Sequence, residues 1–120
     1  MKHDFDIREK VQGNVAVLVL AGRFDANVAS DVKEHIRQMA ESGRKDVVLD
    51  MQGVSFLDSS GLGALVASLR TLQNLGGRLK IGGLSQKVRV VLELIKLHKV
   101  LDLYPDAASA VEALAGNGAE

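Results

Sequence analysis

Short apolar runs at Val15–Leu20, Val47–Leu49, Leu79–Ile81 and around Leu101 and Leu103 are separated by segments in which apolar residues recur every third or fourth position. The first pattern predicts buried strands and the second predicts helices with one apolar face, so strand and helix must alternate along the chain. The first helical segment carries Val28, Val32, Ile36 and Met39 opposite Asp31, Glu34, Arg37, Gln38 and Glu41, with Gly43 as its stop. The second opens at Ser59 or Ser60, carries Leu62, Leu65, Val66, Leu69 and Leu72 as its core stripe, and ends at Gly76-Gly77. The third starts near Ser85 with Val88, Val91, Leu92 and Ile95 as its stripe. Ahead of these, Phe5 and Ile7 alternate with polar neighbours and Gly13-Asn14 supplies a turn, which predicts an opening hairpin. Gly53 reads as a turn between Val47–Leu49 and a short segment, Val54–Leu57. Pro105 leads into a small last helix with Ala108, Val111 and Leu114 inward. The order is ββαβαβαβα, and each βαβ crossover makes successive strands parallel, which predicts an α/β fold: one mixed sheet with helices packed on it.

With 120 residues, 47% of them hydrophobic, the chain has material for one core. We expect a single domain over residues 1–115 and a flexible tail over 116–120. The 15 basic and 15 acidic residues cancel, so no broad positive field steers the chain toward nucleic acid or anionic lipid. Cysteine is absent, which removes disulfides, thiolate metal sites and cysteine nucleophiles. The polar start, Met1 to Asp6, does not read as a signal peptide, and no apolar stretch has the length of a membrane span. The expectation is a soluble cytoplasmic protein without direct membrane insertion.

In open α/β sheets, ligands and partners meet the loops beyond the carboxyl ends of the strands. Two loops qualify here, Gly22–Asn27 and Leu57–Gly63. Asp58, Ser59 and Ser60 before an apolar helix are ordinary capping residues, whose side-chain oxygens accept the orphan N–H groups of a first turn. Gly61 and Gly63 add something else. Each costs about 1 kcal/mol relative to alanine inside a helix, so the pair points to a close approach to the backbone. On the same helix the face opposite the leucines is Ser60, Ala64, Ala67, Thr71 and Asn74, with Arg70 on its flank. Such a face either packs under another part of the chain or forms an uncharged docking surface beginning at the serines.

Ser55-Phe56-Leu57-Asp58-Ser59-Ser60-Gly61-Leu62-Gly63 resembles the signature of the sulfate-transporter and anti-sigma-factor-antagonist domains, the STAS family. Gly22-Arg23-Phe24-Asp25 resembles that family's Gly-x-x-Asp turn, and the likeness extends over about residues 4–115. In the antagonist branch, the resemblance implies, the first serine after the motif aspartate is phosphorylated by an anti-sigma factor that is itself a serine kinase. Carried over, that serine is Ser59. The unphosphorylated antagonist binds the anti-sigma factor and frees the sigma factor, and a serine phosphatase restores the binding form. Asp25, Asp58, Ser60, Gly61, Gly63, Ala64, Ala67 and Thr71 are the candidate partner-binding residues. Other members of the family are scaffold subunits of transport, lipid-transport or stress-sensor complexes, which is the alternative role.

Catalytic readings have less support. Ser59 is not in a Gly-x-Ser-x-Gly context, and no spacing brings His3, His35 or His98 to it. Gly61-x-Gly63 lacks a third glycine at Val66, and Gly82-Gly83 lacks a following Lys-Ser or Lys-Thr, so no phosphate cradle is predicted. Asp25, Asp50 and Asp58 read as turn, strand-end and cap residues rather than as a magnesium pocket. Neither a catalytic residue, a metal nor a cofactor is expected.

Overall fold

The computed structural model describes residues 5–117. Its elements are β1 (Phe5–Gln12), β2 (Val15–Phe24), α1 (Ala29–Glu41), β3 (Asp46–Leu57), α2 (Ser59–Asn74), β4 (Arg78–Gly82), α3 (Gln86–Leu94), β5 (Asp102–Tyr104) and α4 (Ala107–Asn117), with a 3-10 turn at Leu97–Lys99. This is the order read from the sequence. The five strands lie side by side in chain order, β1 antiparallel to β2 and every later neighbour parallel.

Alternation along the strands divides the core into two layers. Ala16, Leu18 and Leu20 of β2, with Val47 and Leu49 of β3 and Leu79 and Ile81 of β4, join Val32, Ile36, Leu65, Leu72, Val88 and Leu92 of α1, α2 and α3 in one buried cluster. Val15, Val17 and Val48 point the other way and meet Ala110 and Leu114 of α4. Glu9 of β1 lies 3.3 Å from the His35 ring nitrogen of α1 and pairs with Arg44, which ties the edge strand to the first helix.

Several details differ from the sequence reading. Gly53 is not a turn: β3 runs unbroken through it, with a register shift against β2 between Val19 and Ala21. A Cβ there would lie 2.8 Å from the Ala21 Cβ, so the glycine lets two strands approach rather than letting the chain reverse. Likewise β2 continues through Gly22, Arg23 and Phe24, so the loop that follows it starts at Asp25. In α4 Leu114 is buried and Val111 half-buried against the same cluster, as expected, but the third inward position is Ala110 rather than Ala108, which is exposed. That helix also reaches Asn117, beyond the expected end of the domain at 115, and residues 118–120 of the expected tail lie outside the described residues. Met1 to Asp4, including His3, lie outside them too.

Candidate functional site

Phe24 of β2 pairs with Leu57 of β3, and Arg23 with Phe56, so the two strands finish level. The backbone N–H of Asp58 donates to the Phe24 carbonyl at 3.4 Å, which pins the start of α2 to the end of β2. Asp25 then turns the chain: its side chain accepts from the Asn27 N–H at 3.0 Å, and its carbonyl accepts from the N–H groups of Val28 and Ala29. The Asp25 turn and the Asp58-Ser59 junction therefore share one end of the sheet. Between them, the Arg23 guanidinium stacks 3.9 Å above the Phe56 ring and lies 3.8 Å from the Asp25 carboxylate.

Asp58 is the N-cap of α2. Its backbone is extended, and its Oδ1 accepts from the Gly61 N–H at 2.9 Å. Ser59 is the first helical residue and is exposed, whereas Ser60 is half-buried. With Asp58 serving Gly61, the N–H groups of Ser59 and Ser60 remain among the orphan donors of a first turn, beside the positive end of the helix dipole. The hydroxyl of Ser59 is thus presented to solvent at a helix terminus that tolerates an anion.

The glycines flanking this junction have opposite environments. A Cβ on Gly61 would lie 2.5 Å from both the Phe24 carbonyl oxygen and Leu57 Cδ1. The close approach read from the sequence is therefore made by the chain itself. Gly63 is exposed, and a Cβ there would meet nothing within 4 Å. No internal contact explains a glycine at that helical position.

Helix α2 is also rotated relative to the sequence reading. Its buried residues are Gly61, Ala64, Leu65, Ser68, Leu69 and Leu72, while Leu62 and Val66 are half-buried. Ala64, expected outward, is 1% exposed and belongs to the core cluster that includes α1. Small residues at 61, 64 and 68 extend the buried face beyond the leucines, and at Gly61 the close neighbour is the end of β2. The outward line of the helix is instead Ser59, Gly63 and Arg70, all exposed, with Val66 half-buried between Gly63 and Arg70. Ala67 and Thr71 are half-buried beside it, and Asn74 is exposed. Val66 and the Arg23–Phe56 stack are the members of this surface that the sequence reading left out, and Arg70, which it sets on the flank, stands in the outward line.

Among the described residues no group of three or more His, Asp or Glu side chains is placed to hold a metal ion, and no helix is long and apolar enough to cross a membrane. The buried cation Lys80 sits elsewhere, on β4, and is satisfied. Burial pulls its ammonium down, but the Asp102 carboxylate at 2.9 Å and the Tyr104 hydroxyl outweigh it and hold the group above its ordinary value.

The STAS domain family matches residues 6–110, and the chain belongs to that family. The anti-sigma-B factor antagonist of Bacillus subtilis is 28% identical over 93 residues, covering 78% of this chain and 84% of that protein. An anti-sigma factor antagonist from Mycobacterium paratuberculosis has the same fold, with a TM-score of 0.82 at 24% identity over 91% of this chain and 92% of that one. The Bacillus cell fate determinant SpoIIAA in its phosphorylated form superposes with a TM-score of 0.69 at 22% identity, covering 92% of this chain and 98% of its own.

Proposed function

We propose that this chain is an anti-sigma factor antagonist that works by partner switching. In its unphosphorylated form it binds an anti-sigma factor, itself a serine kinase, and so releases a sigma factor. A phosphate on Ser59 ends that binding, and a serine phosphatase restores it. The chain is a substrate of both enzymes, performs no chemistry of its own and needs no cofactor. One observation carries the reading: Ser59 stands exposed at the start of α2 while Asp58, not Ser59, supplies the cap. A kinase can therefore take the hydroxyl without undoing the helix. The relatives support it, since one is an anti-sigma-B factor antagonist and another is known in a phosphorylated form.

The partner-binding surface in this reading consists of Asp25, Asp58, Ser60, Gly63, Ala67 and Thr71 around Ser59, joined by Val66 and Arg70. Gly61 and Ala64 serve the interior and leave the set. Incubation with the cognate kinase and ATP is expected to add a single phosphate, located on Ser59 by mass spectrometry. Ser59→Ala is expected to bind the anti-sigma factor whether or not ATP is present, and Ser59→Asp to bind poorly. A phosphate on Ser60, or unchanged binding by Ser59→Asp, would overturn the switch and favour a scaffold role in a transport, lipid-transport or stress-sensor assembly.

A further inference from the structure

The sequence stripe of α3 predicts Val88, Val91, Leu92 and Ile95 inside, but only Val88 and Leu92 are buried. Val91 is 37% exposed and Ile95 50%, and they are joined outside by Val90, Leu94 and Val100. Of the seven exposed large hydrophobic residues among the described residues, these five fall within eleven positions of chain, and Leu94 is the most exposed at 76%. The helix ends at Leu94, Lys96 takes the left-handed conformation with φ 63°, and the 3-10 turn Leu97–Lys99 leads to Val100. Isolated exposed hydrophobics are ordinary on a monomer, but a contiguous set marks an interaction surface.

A groove of about 150 Å³ lies beside this face, lined by Ser55, Phe56 and Leu57 of β3 and by Lys87, Val88 and Val91 of α3. Its β3 wall runs to Leu57, the residue before Asp58, so the groove neighbours the Ser59 junction along the chain. Lys87, Val90, Val91 and Leu94 follow one another at helical spacing, and segment 86–100 carries Lys87, Arg89, Lys96 and Lys99 against a single acid, Glu93. The surface is apolar in the middle and basic at the rim, although the whole chain is neutral.

We infer that the α3 face is a second anchor for the partner that reads Ser59: an acidic segment of the anti-sigma factor seats an apolar side chain in the groove and sets carboxylates against the basic rim. The inference rests on the antagonist reading above. Charge complementarity selects an acidic occupant. A second copy of this chain, packed face to face about a two-fold axis, would bring the lysines of the two rims together. A lipid surface has no protruding side chain for a concave groove, and this nine-residue helix bears no aromatic residue to lodge at a headgroup layer.

The test uses the anti-sigma factor shown to phosphorylate Ser59, titrated against the full chain and its variants. Leu94→Glu and Lys87→Glu are each expected to weaken binding at least tenfold with unchanged circular dichroism. Lys87→Glu keeps the fold testable, because a negative charge in the first turn of α3 suits the helix dipole. Val11→Asp, exposed but outside the α3 segment, is expected to stay within twofold of wild type. If Ser59→Asp abolishes binding while Leu94→Glu and Lys87→Glu bind like wild type, the α3 inference fails and the antagonist reading stands. If Ser59→Asp itself binds normally, the antagonist reading fails and takes the inference with it. Flotation with phosphatidylglycerol vesicles, or a dimer in light scattering, that Leu94→Glu abolishes would assign the face to a membrane or to a second copy and also overturn it.

Discussion

Gly61 and Gly63 stand two positions apart in one helix, and their substitution by alanine is expected to change stability in opposite directions. At Gly63 the new methyl meets nothing within 4 Å, so only the backbone effect remains, and alanine is favoured over glycine in a helix by about 1 kcal/mol. For a domain of this size that raises the thermal midpoint by about 4 °C. At Gly61 the same backbone gain is present, but the methyl would lie 2.5 Å from the Phe24 carbonyl oxygen and from Leu57 Cδ1. Leucine can turn away. The carbonyl cannot, because it is backbone of β2 and already accepts the Asp58 N–H. Overpacking of this kind costs about 1–3 kcal/mol, and relieving it by shifting α2 also loosens the Asp58 cap, worth about another 1 kcal/mol. The two variants should therefore differ by about 2–4 kcal/mol in urea denaturation followed by circular dichroism. If Gly61→Ala proves as stable as Gly63→Ala, α2 does not press against the end of β2, and the internal reading of Gly61 is wrong. Gly63→Ala carries a functional half as well: a more stable protein that binds the anti-sigma factor more weakly places the missing contact of Gly63 in the partner.

Asp25→Ala removes the acceptor for the Asn27 N–H and the carboxylate beside Arg23; about 1 kcal/mol of stability should go, with a larger proportional loss in the rate of Ser59 phosphorylation, and an unchanged rate would remove Asp25 from the partner surface. Asp106 is held below the usual carboxylate value first by the Ser109 backbone N–H and then by the Ser109 side chain. A lowered folded value means stability that is present above the unfolded value and lost as pH falls through the folded one, so α4 should loosen in acid below about pH 4. Asp106→Asn keeps a capping oxygen without titrating and should abolish that acid dependence, as read from the amide exchange of α4. Ser59→Asp and Ser59→Ala should share the wild-type circular dichroism spectrum and thermal midpoint, and a shift of more than a few degrees in either would show that position 59 supports the fold.

Element order was legible because it depends on pattern alone: β-branched runs and helical spacing are distinguished by period, and the turns carry glycine or proline at their ends. What could not be read was rotation about an axis. In α2 Leu65, Leu69 and Leu72 of the expected stripe are buried, but the inner face extends on to Gly61, Ala64 and Ser68, small residues that carry no apolar signal of their own. For Gly61 the reason is the Phe24 carbonyl at the end of β2, a property of two elements together. The same holds for Gly53, whose reason is Ala21 on the neighbouring strand. The Arg23–Phe56 stack depends on strand register past a bulge, which no single segment encodes. In α3 the error had a different source. Valine, leucine and isoleucine surround the helix on nearly every side, so periodicity cannot say which of them the core leaves outside.

A phosphate on Ser59 meets a local structure that accommodates it. Ser59 and Ser60 lie in the first turn, where N–H groups point outward and the helix dipole favours negative charge, while the cap rests on Asp58 and does not involve the modified side chain. The added charge of roughly −1.5 to −2 therefore has little leverage on the antagonist itself. Its leverage is on the complex. Against a partner carboxylate about 6 Å away, one added charge costs on the order of 3 kcal/mol at an effective dielectric near 20, which is about a hundredfold in affinity before any steric clash. In the proposed switch, a surface whose Ser59 end can be charged and whose α3 end stays apolar and basic would divide the work: α3 would keep the partner recognisable in both states, and Ser59 would decide whether it stays. In that reading the kinase must engage the protein in order to modify it and then let go. A fixed anchor beside a switchable one lets the same two proteins do both.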